Sequence, residues 1–114
     1  MELCTKSCIP CKGGETPYTK EQAMAMIPRI HPDWELVDQA AKITRRFTFK
    51  DFKTAMAMAV TVGDIAESQW HHPDMEIGWG RLVVTITTHK IKGLVESDFI
   101  FAAKVDKAFE SQTE

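Results

Sequence analysis

Three of the four histidines of this chain lie close together, His71 and His72 side by side and His89 further on, with Glu67 and Asp98 flanking them. Imidazole, with an unperturbed pKa of about 6.5, both gives and takes protons near neutral pH, so two such rings can serve one reaction as acid and base. A single histidine at a helix end is more often a cap, its charge suiting the carbonyl end of the helix dipole. Three of them with two carboxylates in a mainly apolar half of the chain point further, because partly buried ionisable clusters are costly unless used.

The elements that must hold these side chains are legible in the hydrophobic pattern. Residues 1–18 mix Cys, Pro, Gly and Lys without periodicity and read as an irregular lead-in, with Gly13-Gly14 and Pro17 as breakers; a single domain is expected over 19–114. Thr19 and Gln22 make a capping-box pattern ahead of Ala23, Met26, Ile27 and Ile30, which gives a short amphipathic helix disturbed near Pro28 and stopped by His31-Pro32. Trp34 to Val37 is β-prone. Ile43, Phe47 and Phe49 alternate with Thr44, Arg46 and Thr48, so a hairpin turning around Asp38 to Lys42 is expected.

From Asp51 the period becomes helical, with Phe52, Ala55, Met56, Ala59 and Ala66 on one stripe and an end near Trp70, ahead of Pro73. Ile77 and Trp79 alternate, Leu82 to Thr88 is a β-branched run, and Phe99, Ala102, Val105 and Phe109 mark a last helix. The order α-β-β-α-β-β-α suggests an α+β fold with helices on one face of an antiparallel sheet. His71 and His72 then fall at a helix exit and His89 at a strand exit. If both ends open on the same side of the sheet, the imidazoles can converge.

With 114 residues, 44% hydrophobic and 26% charged, the chain has the profile of one globular domain. A net charge of −2, with Lys42, Arg45 and Arg46 as the basic cluster, gives no pull toward nucleic acid. No apolar run approaches the roughly 20 residues that span a bilayer, and the start lacks the apolar stretch of a signal peptide, so a cytoplasmic protein without membrane association is expected. Cys4, Cys8 and Cys11 precede the whole patterned region, so they cannot staple the core. They read as reduced thiols on a flexible tail, with a zinc clip completed from outside as the alternative. Their C-x3-C-x2-C spacing is that of radical iron–sulfur enzymes, whose large barrel this length cannot build.

Glu67, three residues, His71-His72-Pro73, five residues, Trp79, nine residues, His89, eight residues and Asp98 reproduce a signature without a gap. In this the chain resembles the pterin-4a-carbinolamine dehydratases, and the likeness extends from Tyr18-Thr19 through Trp34, Phe47-Thr48-Phe49 and Thr88-His89 with Gly93-Leu94 to Ala103-Lys104-Val105-Asp106. The lead-in Cys8-Ile9-Pro10-Cys11-Lys12-Gly13-Gly14 is similar to that of many bacterial members. The resemblance implies a four-stranded antiparallel sheet with three helices on one face. It also implies a lyase that dehydrates 4a-hydroxytetrahydropterin to quinonoid dihydropterin and so recycles the pterin of aromatic amino acid hydroxylases.

Carried over by position, His71, His72 and His89 are the catalytic residues, and Glu67, His72, Pro73, Trp79 and Asp98 bind the substrate. No cofactor and no metal is implied. Animal members also act as a dimerisation cofactor for a homeodomain transcription factor, a role for which this sequence gives no grounds. Two departures stand out. Val95 replaces the usual Thr or Ser cap, leaving Glu96 or Ser97 to start the last helix, and the segment Pro28 to Pro32 is richer in proline than the family loop.

Two other readings are a non-enzymatic binding or dimerisation module of the same fold and a histidine-rich metal protein. Neighbours such as His71 and His72 seldom converge on one ion, which argues against the second. A homo-oligomer, most simply a dimer, is expected because a sheet covered on one face leaves the other face or an edge strand needing cover. Removal of residues 1–11 is expected to leave turnover nearly intact, since no cysteine falls within the signature.

Overall fold

Thr19 opens the first helix as its sequence requires: its hydroxyl accepts from the Gln22 amide at 3.1 Å while the Gln22 side chain accepts from the Thr19 amide at 2.8 Å. The computed structural model describes residues 3–9 and 15–113, so Cys11 and the Gly13-Gly14 pair lie outside the described residues. Helix α1 spans Lys20–Met26 and tightens into a 3-10 turn, Ile27–Arg29, where Pro28 is tolerated because the first amides of a helical turn need no partner.

Strands β1 (Glu35–Val37) and β2 (Lys42–Thr48) form the expected hairpin, and Asp38, Gln39 and Ala40 all take left-handed backbone angles in its turn. Strands β3 (Asp74–Gly78) and β4 (Arg81–Ile86) form the second. The sheet order is β1-β2-β4-β3, antiparallel throughout. In the β2–β4 register, Ile43 faces Ile86 and Phe47 faces Leu82, and these side chains are buried with Val84. Thr44, Arg46, Thr48, Val83 and Thr85 point to the other face. The three helices cover the first face only, the α+β arrangement expected.

Strand β3 stops one residue short of Trp79. That residue sits in the β3–β4 turn, 76% exposed, beside Gly80, whose φ of +66° is left-handed. A Cβ on Gly80 would lie 2.8 Å from the Phe49 carbonyl oxygen, so only glycine fits there.

Helix α2 runs Phe52–Gln69, capped by Asp51, whose carboxylate accepts from the Thr54 amide at 2.8 Å and the Thr54 hydroxyl at 2.6 Å. Those bonds hold the Asp51 carboxyl below its ordinary pKa. Its buried stripe is Ala55, Met58, Ala59, Val62 and Ala66. Phe52 and Met56, expected inside, are exposed, and with Val60 they line the outer side of the helix four residues apart. A helix of Ala, Met and Val is apolar most of the way round, so composition leaves its rotation open.

Helix α3 (Glu96–Thr113) buries Phe99, Ile100, Phe101, Ala102 and Val105. Arg45 breaks the basic cluster read from the sequence: it lies on the core face of β2, 5% exposed, with Nη1 2.6 Å from Asp106 Oδ1 and its guanidinium 4.3 Å above the Phe47 ring. Asp106 also accepts from the Trp34 indole at 2.7 Å and the His31 amide at 3.0 Å.

The lead-in is ordered earlier than the expected start at Thr19. Leu3–Thr5 makes a 3-10 turn against α3, with Leu3 and Cys8 buried. Burial pushes the Cys8 thiol from its ordinary 9.0 up to about 11, which favours the neutral form in the folded state. The unfolded chain sheds this proton first, so stability falls as pH rises from about 9 to about 11. The loss should reach about 1 kcal/mol by pH 10 relative to a Cys8→Ala variant, compared by urea denaturation across that range.

Candidate active site

Helix α2 ends because Trp70 adopts a left-handed conformation, φ 51° and ψ 45°, while its amide and that of His71 both return to the Ala66 carbonyl. Such a backbone is uncommon for a bulky residue. It separates the two histidines that follow: His71 turns inward, 9% exposed, and His72 stays at the surface.

His71 Nε2 lies 2.7 Å from Asp98 Oδ1, and its ring is tilted over Phe101 at 5.8 Å. Asp98 is fully buried, in the first turn of α3. Its other oxygen accepts from the Thr88 hydroxyl and from the Val95 amide, each at 2.8 Å. The buried carboxyl group is therefore met by three polar partners and by the positive end of a helix. The bond to Val95 also accounts for a helix that starts at Glu96 without a Ser or Thr cap. The third helical residue reaches back to the amide of the residue before the helix, which is half of a capping box. With Nε2 engaged, Nδ1 is the His71 nitrogen open to a second partner.

His72 makes a parallel pair at the surface: Nε2 is 2.6 Å from Glu67 Oε2, and the ring stands edge-on to the exposed Trp70 at 5.0 Å. Pro73, half-buried, leads from this pair into β3. His89 follows Thr88 in the turn after β4, closed by the Thr88–Gly93 bridge. It lines a depression of about 300 Å³ together with Asp38, Ala41, Lys42, Thr87 and Lys92. The Thr87 hydroxyl donates to the Ala41 carbonyl at 2.7 Å, tying this turn to the β1–β2 turn.

The structure thus joins His71, Asp98 and Thr88 in one network, pairs His72 with Glu67, and attaches the His89 turn to the first through Thr88. Trp79 is not brought to these groups. In the β3–β4 register Asp74 faces Thr85 and Gly78 faces Arg81, so Trp79 lies at the end of the hairpin away from His72 and His89. Thr88, one of the three partners of Asp98, is the residue that motif spacing did not single out for a role; its signal was only a hydroxyl at the end of a β-branched run.

The profile of the family described as pterin 4 alpha carbinolamine dehydratase matches residues 16–108. The chain belongs to that family. A relative from Rubrobacter xylanophilus, provisionally named pterin-4-alpha-carbinolamine dehydratase, is 49% identical over 93% of this chain and 97% of its own. One from Methylococcus capsulatus with the same provisional name is 49% identical over 94% and 96%. A crystal structure from Brucella melitensis, described as a transcriptional coactivator/pterin dehydratase, superposes with a TM-score of 0.74 at 32% identity, over 81% of this chain and 97% of that one. A pterin dehydratase-like protein identified as a RuBisCO assembly factor shares the fold, with a TM-score of 0.58 at 22% identity over 68% and 89%.

Asp98 is thus a carboxylate that several elements share. Replacing Asp98 by Ala strips the acceptor from His71, Thr88 and Val95 together and should cost about 3 kcal/mol in urea denaturation, whereas Asp98→Asn, which keeps one acceptor oxygen, should cost less.

Proposed function

We propose that this protein is a hydro-lyase that dehydrates 4a-hydroxytetrahydropterin to quinonoid dihydropterin and water. The observation that carries the reading is the buried His71–Asp98 pair, with His72–Glu67 next to it in sequence, inside the stretch that matches the family to which the chain belongs. The bond from carbon 4a to its hydroxyl breaks once an acid protonates the oxygen, and water leaves with the bonding electrons. The cationic ring then loses the proton on nitrogen 5 to a base. No electron changes hands, so the reaction asks for one acid, one base and no cofactor.

In this proposal His71 and His89 share the acid and base work from either side of the carbinolamine. Asp98 orients the His71 ring, much as a carboxylate fixes the ring of any catalytic imidazole, and Glu67 does the same for His72, which holds the pterin and assists proton transfer. Pro73 shapes the wall beside them. Trp79 has no part in it, because it stands at the other end of the hairpin. The setting proposed is the cytoplasm, where the product, once a separate reductase has reduced it to the tetrahydropterin, returns to an aromatic amino acid hydroxylase. No helix among the described residues is long and apolar enough to cross a membrane.

His89→Ala should fold normally and His71→Ala should fold with lowered stability, because it leaves Asp98 Oδ1 without its partner; each should lose turnover of the carbinolamine by about 100-fold, with a smaller change in pterin affinity. The double variant should fall further, and His72→Ala should weaken binding as well as turnover. Activity should survive exhaustive chelation; abolition by chelator and restoration by zinc would make the imidazoles metal ligands and overturn the mechanism. A protein that binds a macromolecular partner but leaves the carbinolamine untouched would instead be a binding module of this fold.

We also propose a homodimer. The outer stripe of α2, with Phe52, Met56 and Val60 exposed at helical spacing, supplies apolar surface that a second copy would bury. Sedimentation at micromolar concentration should show a dimer or larger species, and Val60→Asp should weaken it; monomer alone in the wild type would refute the assignment.

A further inference from the structure

The segment Leu3–Ile9 lies across the joint between the end of α2 and the start of α3. Its turn is anchored by Leu3, 3% exposed, and by the Lys104 ammonium, which donates to the Cys4 carbonyl at 2.8 Å. Beyond the turn, Lys6 pairs with Glu96 at 2.7 Å. The Cys8 amide donates to Gln69 Oε1 at 2.9 Å, and the Cys8 thiol, buried, lies 3.4 Å from the Ser97 carbonyl. The Ile9 amide donates to the Ser97 hydroxyl at 2.9 Å, and that hydroxyl is 3.3 Å from the Ile9 carbonyl.

The partners are what give these bonds meaning. Gln69 stands two residues before His71, and Ser97 immediately precedes Asp98. The segment therefore grips both helices next to the residues they contribute to the 2.7 Å His71–Asp98 contact. Without it, the ends of the two helices would lose the bonds that tie them to one another beside that contact, and a change of a fraction of an ångström in an orienting hydrogen bond is felt in catalysis.

We propose that Leu3–Ile9 is a positioning strap for the acid–base site, with Gln69 and Ser97 as positioning residues that act through His71 and Asp98. This deepens the dehydratase reading and rests on it. It also reverses the expectation that removal of residues 1–11 leaves turnover nearly intact, which followed from no cysteine falling within the signature. A strap held by a few hydrogen bonds and one buried leucine can open locally, and the Cys8 thiol reports that opening, because a buried neutral thiol reacts with an alkylating reagent only when exposed.

The test uses the full chain and two variants: Gln69→Ala with Ser97→Ala, which removes the strap's bonds to the joint, and Leu3→Asp, which removes its anchor. Cys8 alkylation by iodoacetamide, followed by mass spectrometry, should accelerate in both. Turnover number should drop by about tenfold with KM nearly unchanged. The ring nitrogen resonances of His71, which report its tautomer and its bond to Asp98, should move, and Ser97→Thr should retain wild-type behaviour. Faster Cys8 labelling with turnover and His71 resonances unchanged would overturn the proposal. So would unchanged labelling in both variants, since the named contacts would then not hold the strap. If the wild-type protein fails to dehydrate the carbinolamine, the dehydratase reading falls, while the His71 resonances still decide whether the strap positions the ring.

Discussion

The architecture turns on a carboxylate with no access to solvent. Asp98 collects a ring nitrogen from beyond the end of α2, a hydroxyl from beyond the end of β4 and an amide from the start of α3. A buried charge of this kind is tolerated only when its lone pairs are met, so the three chain segments are held to positions that satisfy one another. In the dehydratase proposed, the need for an acid–base ring and the need for a stable joint would be answered by the same atoms.

Helix α3 repeats the device two turns later. Asp106 lies eight residues on, about 12 Å along the axis, and gathers the His31 amide, the Trp34 indole and the Arg45 guanidinium. Between the two posts Phe99, Ala102 and Val105 fill the apolar interior. Replacing a buried pair by apolar residues of similar volume is often neutral or stabilising, so Arg45–Asp106 is better understood as fixing where α3 lies over the sheet than as a source of net stability. With the helix registered at both ends, Asp98 meets His71 without a search.

Much of this was legible in the chain. Thr19 with Gln22, the alternation of Ile43 and Phe47, and the run from Leu82 onward each carry a local rule that tertiary packing had no reason to override. Where the rule was weak, the reading drifted. The stripe of α2 was phased on Phe52 and Met56, because Ala and Met on nearly every side leave rotation to the neighbours. Arg45 was counted with Lys42 and Arg46 as surface charge, because its partner Asp106 lies 61 residues away and no local pattern announces it. The signature brought Glu67, His71, His72 and Asp98 forward as a group, yet sequence spacing could not show that they form two separate pairs, nor that Trp79 stands apart.

The left-handed Trp70 is what turns two adjacent and chemically identical histidines into different tools. A helix continued through residue 72 would set their side chains about 100° apart on one cylinder, both near its surface. Ending the helix at Gln69 and reversing the backbone at Trp70 instead sends His71 to a dry carboxylate and leaves His72 with a wet one, the Glu67 side chain being 70% exposed. Water screens the outer pair and scarcely reaches the inner, so the same imidazole–carboxylate contact is rigid and directional within and adjustable without. In the dehydratase proposed, an acid–base ring would benefit from the first condition and a ring that receives and releases the pterin from the second. That proposed division of labour would be set by one backbone conformation, at a residue whose exposed side chain stands edge-on to the outer ring.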